Sequence, residues 1–324
     1  MKSKIKRIKL VAVIGVLAVG IAAVNVFVFS TTDKIEEKDN EHREFVKKNY
    51  RIFSLATPDS ITFAGEKVPV NDIEVQERLD RELVINTYWH SQTLFFIKKA
   101  NRWFPLMESI LKEEGVPDDF KFIAMIESGF DNVVSPAGAS GYWQFLKQTG
   151  INYGLEVNNF VDERYNVEKA TRAACAYFKD SYKIFKNWTL VAASYNMGAG
   201  GVQEKLKEQG VVSFYDLLLV PETSRYIFRI LAAKEIYDHP LYYGFNLRKK
   251  DLYPPLKTNA LEVDSSIVNL VEFAKTKSIN YKILKYLNPW LRDKSLPNKL
   301  RKKYKILLPA DDFNLKPNLN EAQK

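Results

Sequence analysis

Glu127 closes an apolar run, Phe120 to Ile126, that is interrupted only by Lys121, and Gly129 follows two residues later. A helix that is oily on nearly all sides is a buried one, and a glycine at that spacing suits its end. A carboxylate in the last turn of such a helix is deprived of water and faces the negative end of the helix dipole. Both effects raise its pKa. An acid that keeps its proton near neutral pH is what a general acid needs in order to protonate a leaving oxygen. The competing reading is an exposed helix-end glutamate with an ordinary pKa.

The residues that follow weigh against that plain reading. Ser135 to Phe145 reads SPAGASGYWQF and sets Gly138, Ala139, Ser140 and Gly141 directly before Tyr142, Trp143 and Gln144. Small residues let a backbone approach a ligand closely, and aromatic rings beside a polar amide suit the faces and hydroxyls of a sugar.

Together with ESGF at Glu127–Phe130, this stretch resembles the catalytic region of lytic transglycosylases with the goose-type lysozyme-like fold, nearest to their membrane-bound murein transglycosylase D group. Further blocks follow in the family's order: TGINYGL (149–155), VDERYNVEKATRAACAYF (161–178), NWTLVAASYNMGAGGV (187–202) and PETSRYI (221–227). The similarity spans about residues 75 to 240. It implies that Glu127 is the catalytic acid/base, and that Ser135, Gln144, Tyr195, Asn196 and Tyr226 line a sugar groove. Tyr195 and Asn196 are expected opposite Glu127, orienting an N-acetyl group and the acid. Their plain readings are a core aromatic and a helix cap; that of Gln144 is a surface amide. Glu222 reads as an acid that steadies a helix dipole, and Asp162 with Arg164 as an internal ion pair. Tyr142 and Leu146 stand where the family often has Leu and Met, departures expected to alter the floor of the groove.

The resemblance further implies an activity: non-hydrolytic cleavage of the MurNAc–GlcNAc bond of peptidoglycan glycan strands, giving 1,6-anhydro-muramyl ends. Most glycoside hydrolases need two carboxylates. The only acid close in sequence to Glu127 is Asp131, read here as a loop residue, and a transglycosylase can do without a second one. The alternatives are a hydrolytic muramidase and a non-catalytic wall-binding protein.

The elements that must position these residues are helical. VQERLDRELVINTYWH, TLFFIKKANRWFPLMESILKEEG, NVEKATRAACAYFKDSYKIF, WTLVAASYNMG and SRYIFRILAAKEIY all repeat apolar residues at three- and four-residue spacing. The fold class is therefore mainly α, with a lysozyme-like catalytic domain over 75–245. Residues 31–74 read as a linker; its polar part over 30–50 reads as linker or as a solvated helix, and 61–70 as a short strand. After LYPPLKT the pattern changes to an extended piece (260–263), two helical stretches and the strand-like YKILLP. That order resembles a degenerate LysM module, a small α+β carbohydrate-binding unit, over 256–310; a helical cap on the catalytic domain is the alternative. Lys299, Arg301, Lys302 and Lys303 cluster there, either to meet an acidic polymer or as a solvated face. Residues 311–324 read as a loose tail.

The 324 residues, 46% hydrophobic and 13% aromatic, suffice for a substantial core. A net charge of +9 suggests an anionic partner, but there is no nucleic-acid-binding signature. Cys175 is the single cysteine and the three histidines (His42, His90, His239) are scattered. No disulfide, metal or organic cofactor is expected. Five cationic residues within 1–9 precede an uncharged run from Leu10 to Phe29, long enough to cross a hydrocarbon core of about 30 Å. Acidic residues follow it, so residues 1–30 read as an uncleaved membrane anchor with the rest exported to the periplasmic side of a bacterial envelope. A cleaved signal peptide is the competing reading.

Overall fold

The structure, a computed structural model, describes residues 39–49, 51–311 and 313. The expected membrane anchor and nearly all of the expected tail lie outside them. Among the described residues no helix is long and apolar enough to cross a membrane. The chain divides into two compact units, Met1–Ser54 and Leu55–Lys324. In the first, the described residues form one helix, α1 (Asp39–Asn49), so the charged stretch over 30–50 is at least partly a solvated helix.

The second unit opens with a hairpin where a single strand was expected. β1 (Thr62–Phe63) pairs antiparallel with β2 (Glu66–Lys67), because Ala64 and Gly65 both take positive φ, +52° and +80°, the geometry of a tight hairpin turn. Far from being a linker, it is tied to the helices. Phe63 is fully buried, and the Glu66 carboxylate accepts hydrogen bonds from the amides of Trp188 and Thr189, at 2.6 and 2.9 Å. An anion on those free N–H groups is a helix N-terminal cap.

Eight helices follow: α2 (Ile73–Tyr88), α3 (His90–Glu114), α4 (Lys121–Ser128), α5 (Lys147–Asn152), α6 (Val167–Phe185), α7 (Trp188–Met197), α8 (Ala199–Gln209) and α9 (Pro221–Asp238). Local chemistry sets their ends. Asp72 caps α2 by accepting from the amides of Glu74 and Val75, Asn166 caps α6 and Asn187 caps α7. Gly115 ends α3 in the left-handed conformation. α5 and α8 were not anticipated: α5 is a turn and a half long, and α8 starts among Gly198, Gly200 and Gly201, which mask its pattern. One core, including Phe104, Phe120, Phe122, Trp143, Phe178 and Phe228, joins these helices, and α4 packs against both α3 and α9.

The C-terminal part has the expected α+β order. β3 (Thr258–Val263) and β4 (Tyr304–Pro309) pair antiparallel along their full length, Thr258 opposite Pro309 and Val263 opposite Tyr304. Between them run α10 (Leu270–Thr276) and α11 (Tyr281–Leu287). The small core of this module takes in Val161 and Tyr165 from the helical domain. Backbone hydrogen bonds cross the seam, from Asp162 N to Trp290 O (2.9 Å) and from Arg292 N to Phe160 O (2.8 Å). The basic cluster is mostly engaged within the protein. Lys302 pairs with Glu156, Lys303 with Glu262 and Arg301 with Asp264, so these three cations already face carboxylates.

Candidate active site

α4 carries Glu127 one residue before its end, and Gly129 terminates it at φ +58°. Phe122 to Ile126 are buried, which fixes the helix; Glu127 itself keeps an edge on a cavity of about 350 Å³. Tyr226 of α9, almost fully buried, donates its hydroxyl hydrogen bond to Glu127 Oε1 at 2.6 Å. Arg229, one turn further along α9, donates to the carbonyl of Ile126 at 3.1 Å.

These neighbours act on the acid in opposite directions. Burial, the largest cause, pushes the Glu127 pKa above the usual carboxylate range. The Tyr226 hydrogen bond and the Arg229 charge pull it down, while the Glu222 charge pushes it up. The net direction is upward, as the sequence led one to expect.

Each remaining residue of the expected groove has a definite place. Tyr195 donates to the carbonyl of Trp143 at 2.6 Å, and the Glu127 charge acts on its phenol, so the two are neighbours. Asn196 is partly exposed, and its amide makes no side-chain hydrogen bond among the described residues. Gln144 sits at φ +49° and spends its Nε2 on the carbonyls of Val133 (3.1 Å) and Gly141 (2.8 Å). Ser135 Oγ accepts from the amide of Ala139 at 3.1 Å. Ser135 and Gln144 therefore shape the loop; like Tyr195, Asn196 and Tyr226, they are not among the residues that line the cavity at Glu127, and of the five only Tyr226 bonds the acid directly.

The Asp162–Arg164 pair forms as expected, buried, with contacts of 2.7 and 2.9 Å. Arg164 also donates to the carbonyls of Gly138 and Phe145, both at 3.0 Å, clamping the loop from both sides.

Two expectations change. Trp143 is no sugar platform: it is fully buried and its indole donates to Thr171 Oγ1 at 2.9 Å. Tyr142, expected on the groove floor, is buried edge-on against Trp103, with ring centroids 5.1 Å apart. Asp131 is an exposed loop acid, as expected, paired with Lys99 at 2.6 Å, and Glu222, in the first turn of α9 as expected, also shares the cavity of Glu127.

Sequence reasoning missed Arg225, Arg229 and Glu82. Arg225 grips the buried Glu82 of α2 through Nε and Nη2, at 2.6 and 3.2 Å, and all three line the cavity. The signal was present. Glu222, Arg225, Tyr226 and Arg229 recur at i, i+3, i+4 and i+7, one face of a helix.

The opposing influences predict opposite pH shifts. If the protonated acid is the active form, kcat/KM falls as pH rises through the Glu127 pKa. Removing the hydroxyl in Tyr226→Phe takes a donor from the carboxylate form, so this alkaline limb moves to higher pH. Glu222→Gln removes a like charge, and the limb moves to lower pH. Turbidity assays on purified peptidoglycan across pH would check both; shifts of the same sign would contradict this arrangement.

A family model described as the transglycosylase SLT domain matches residues 106–217. A second, the soluble lytic transglycosylase C-terminal LysM-like domain, matches residues 259–312. The membrane-bound lytic murein transglycosylase D of Escherichia coli K12 is 29% identical over 248 residues, covering 74% of this chain and 53% of the relative; the protein of the same name from E. coli O6:H1 gives the same figures. The chain thus spans about half the length of the curated relatives it matches. Among solved structures, the 70 kDa soluble lytic transglycosylase SLT70 from E. coli is 24% identical, covering 42% of this chain and 24% of that one, with a TM-score of 0.37. Lytic transglycosylase Slt from Pseudomonas aeruginosa is 21% identical, covering 47% and 26%, with a TM-score of 0.34. The residues around Glu127 thus match the transglycosylase SLT domain, and those behind them the C-terminal LysM-like domain of soluble lytic transglycosylases.

Proposed function

We propose that the protein is a peptidoglycan lytic transglycosylase of the bacterial envelope, anchored through its N-terminal segment with the SLT domain on the periplasmic side. It acts on glycan strands at the MurNAc–GlcNAc bond, with Glu127 as the single acid/base. The observation that carries the reading is a partly exposed, pKa-raised carboxyl at the mouth of a cavity, held at 2.6 Å by the Tyr226 hydroxyl, within an SLT domain.

In this reading protonated Glu127 gives its proton to the glycosidic oxygen as the C–O bond breaks. The substrate's acetamido group stabilises the cation that develops at the anomeric carbon, and Asn196, whose amide is unengaged, orients that group. Glu127, now a carboxylate, removes the proton from the primary hydroxyl of the same muramyl residue. That oxygen closes the 1,6-anhydro ring, and the acid is restored. The hydroxyl is tethered to the reacting centre, an advantage in effective concentration over water. Tyr226 and Arg229 steady the carboxylate that exists between the two proton transfers.

Glu222 gives the hydrolytic alternative a specific basis, since a second carboxylate on the same cavity is where a water would be activated. Mass spectrometry of fragments released from sacculi separates the two. Anhydro-muramyl ends are expected; reducing ends would make the enzyme a muramidase.

A further inference from the structure

A second cavity, of about 310 Å³, lies at the seam between the helical domain and the LysM-like module. That volume is at the lower end of the range for ligand pockets and suits one sugar ring. Its walls come from both sides: Trp103 and Tyr142 from the helical domain, Tyr286 and Trp290 from the module. None of the residues around Glu127 belongs to it.

Two polar atoms of its wall are left open. Trp290 and Tyr165 are only 3% and 4% exposed, and neither the Trp290 indole N–H nor the Tyr165 hydroxyl has a hydrogen-bond partner among the described residues. Neither atom is among the buried ones that lack a partner, which are Thr87 Oγ1 and Tyr215 Oη, so each keeps a solvent-facing edge that a ligand can meet. Asn166 spends its side-chain oxygen on the amide of Lys169, leaving its NH₂ group unengaged within the same cavity. Elsewhere on the wall, Arg102 donates to the Tyr286 hydroxyl at 3.1 Å, and Lys305 pairs with Glu168 at 3.0 Å. Aromatic walls with unpaired polar groups among them match the apolar face and the hydroxyl or acetamido edges of a saccharide.

We propose that this seam cavity binds an N-acetylated amino sugar of a glycan strand, at a site separate from the one where the strand is cut. The choice of occupant rests on the function proposed above; the cavity and its unpaired groups do not. One hydrogen bond links its wall to the helix of the acid: Tyr142, a lining residue, accepts at its carbonyl a 2.8 Å hydrogen bond from Ser128, the residue next to Glu127.

The test uses the full chain carrying Glu127→Gln, so that binding is read without turnover, and titrates it with tri-N-acetylchitotriose while following tryptophan indole N–H signals by NMR. The Trp290 signal, assigned by its loss in Trp290→Phe, should shift with chitotriose. Leu106→Trp, a substitution on the cavity wall, should weaken that response at least ~10-fold and leave the wild-type acid's cleavage of short soluble glycans unchanged. A Trp290 signal that stays still at concentrations on the order of millimolar, or a response that Leu106→Trp leaves intact, would overturn the proposal. A Trp290 shift in a protein whose Glu127 proves dispensable for lysis would uphold the site and sink the catalytic reading instead.

Discussion

Glu127→Gln lowers the release of soluble fragments from sacculi by roughly 10²–10⁴-fold, the contribution of a positioned general acid, and at neutral pH it makes the protein more stable. The second effect follows from the same burial as the first. In the folded chain the Glu127 pKa stands above its ordinary value because desolvation disfavours the carboxylate; in the unfolded chain it does not. The stability that this group contributes is therefore complete below the unfolded pKa and is lost as pH rises through the folded one. Glutamine has no charge to desolvate, and its amide oxygen can still accept from Tyr226. Thermal midpoints of variant and wild type should coincide under acid conditions and separate, with the variant higher, as pH climbs through that window. A protein made more stable by losing the acid proposed for its chemistry shows the familiar exchange between stability and activity. Undiminished lysis by the variant would remove the mechanism. Lost lysis with a lower midpoint at every pH would show that Glu127 supports the fold rather than the chemistry.

The helices were legible because their signals are local. Apolar spacing marked α2, α3, α6, α7 and α9, and Gly129 marked the end of α4 next to the acid. The strand-like YKILLP and the helices before it announced the module. What stayed hidden depends on partners distant in sequence. Glu66 reads as a surface charge until α7 is folded over it, 122 residues later. Trp143 looks like a sugar platform beside Gln144, and only Thr171 on α6 reveals that its indole faces inward. At the site itself, Glu127 was legible from the oily run before it, and Tyr226 through its motif. Arg229 and Arg225 were not, although the spacing on α9 held them in view, because nothing in the sequence says which face of that helix meets α4. Asp131 drew attention for its nearness in the chain, whereas the acid near Glu127 in space is Glu222.

Gly141→Ala should unfold the site loop, and a neighbouring glycine provides the control. Gly141 has φ +78°, and a Cβ built on it would stand 1.9 Å from the carbonyl oxygen of Arg164 and 2.6 Å from its carbon. Neither side can yield easily. Arg164 is held in a buried pair with Asp162 and donates to Gly138 and Phe145 on the loop, while the amide of Asp162 bonds the module at Trp290. On the loop side, the Gly141 carbonyl accepts from Gln144. Gly138, three residues earlier, has nearly the same φ, +80°, but nothing within 4 Å of its missing Cβ. Alanine at either position meets the left-handed penalty of about 1–2 kcal/mol. Only at 141 does steric overlap add to it, for a total of at least ~3 kcal/mol, the range of severe single substitutions. Denaturant midpoints should then drop far more for Gly141→Ala than for Gly138→Ala; equal drops would mean that the loop and the Arg164 turn are not in contact. Activity should fall with stability at 141 even where the protein stays folded, because the next residue, Tyr142, is hydrogen-bonded through its carbonyl to Ser128. A loop pushed away from Arg164 pulls on the end of the helix that holds Glu127.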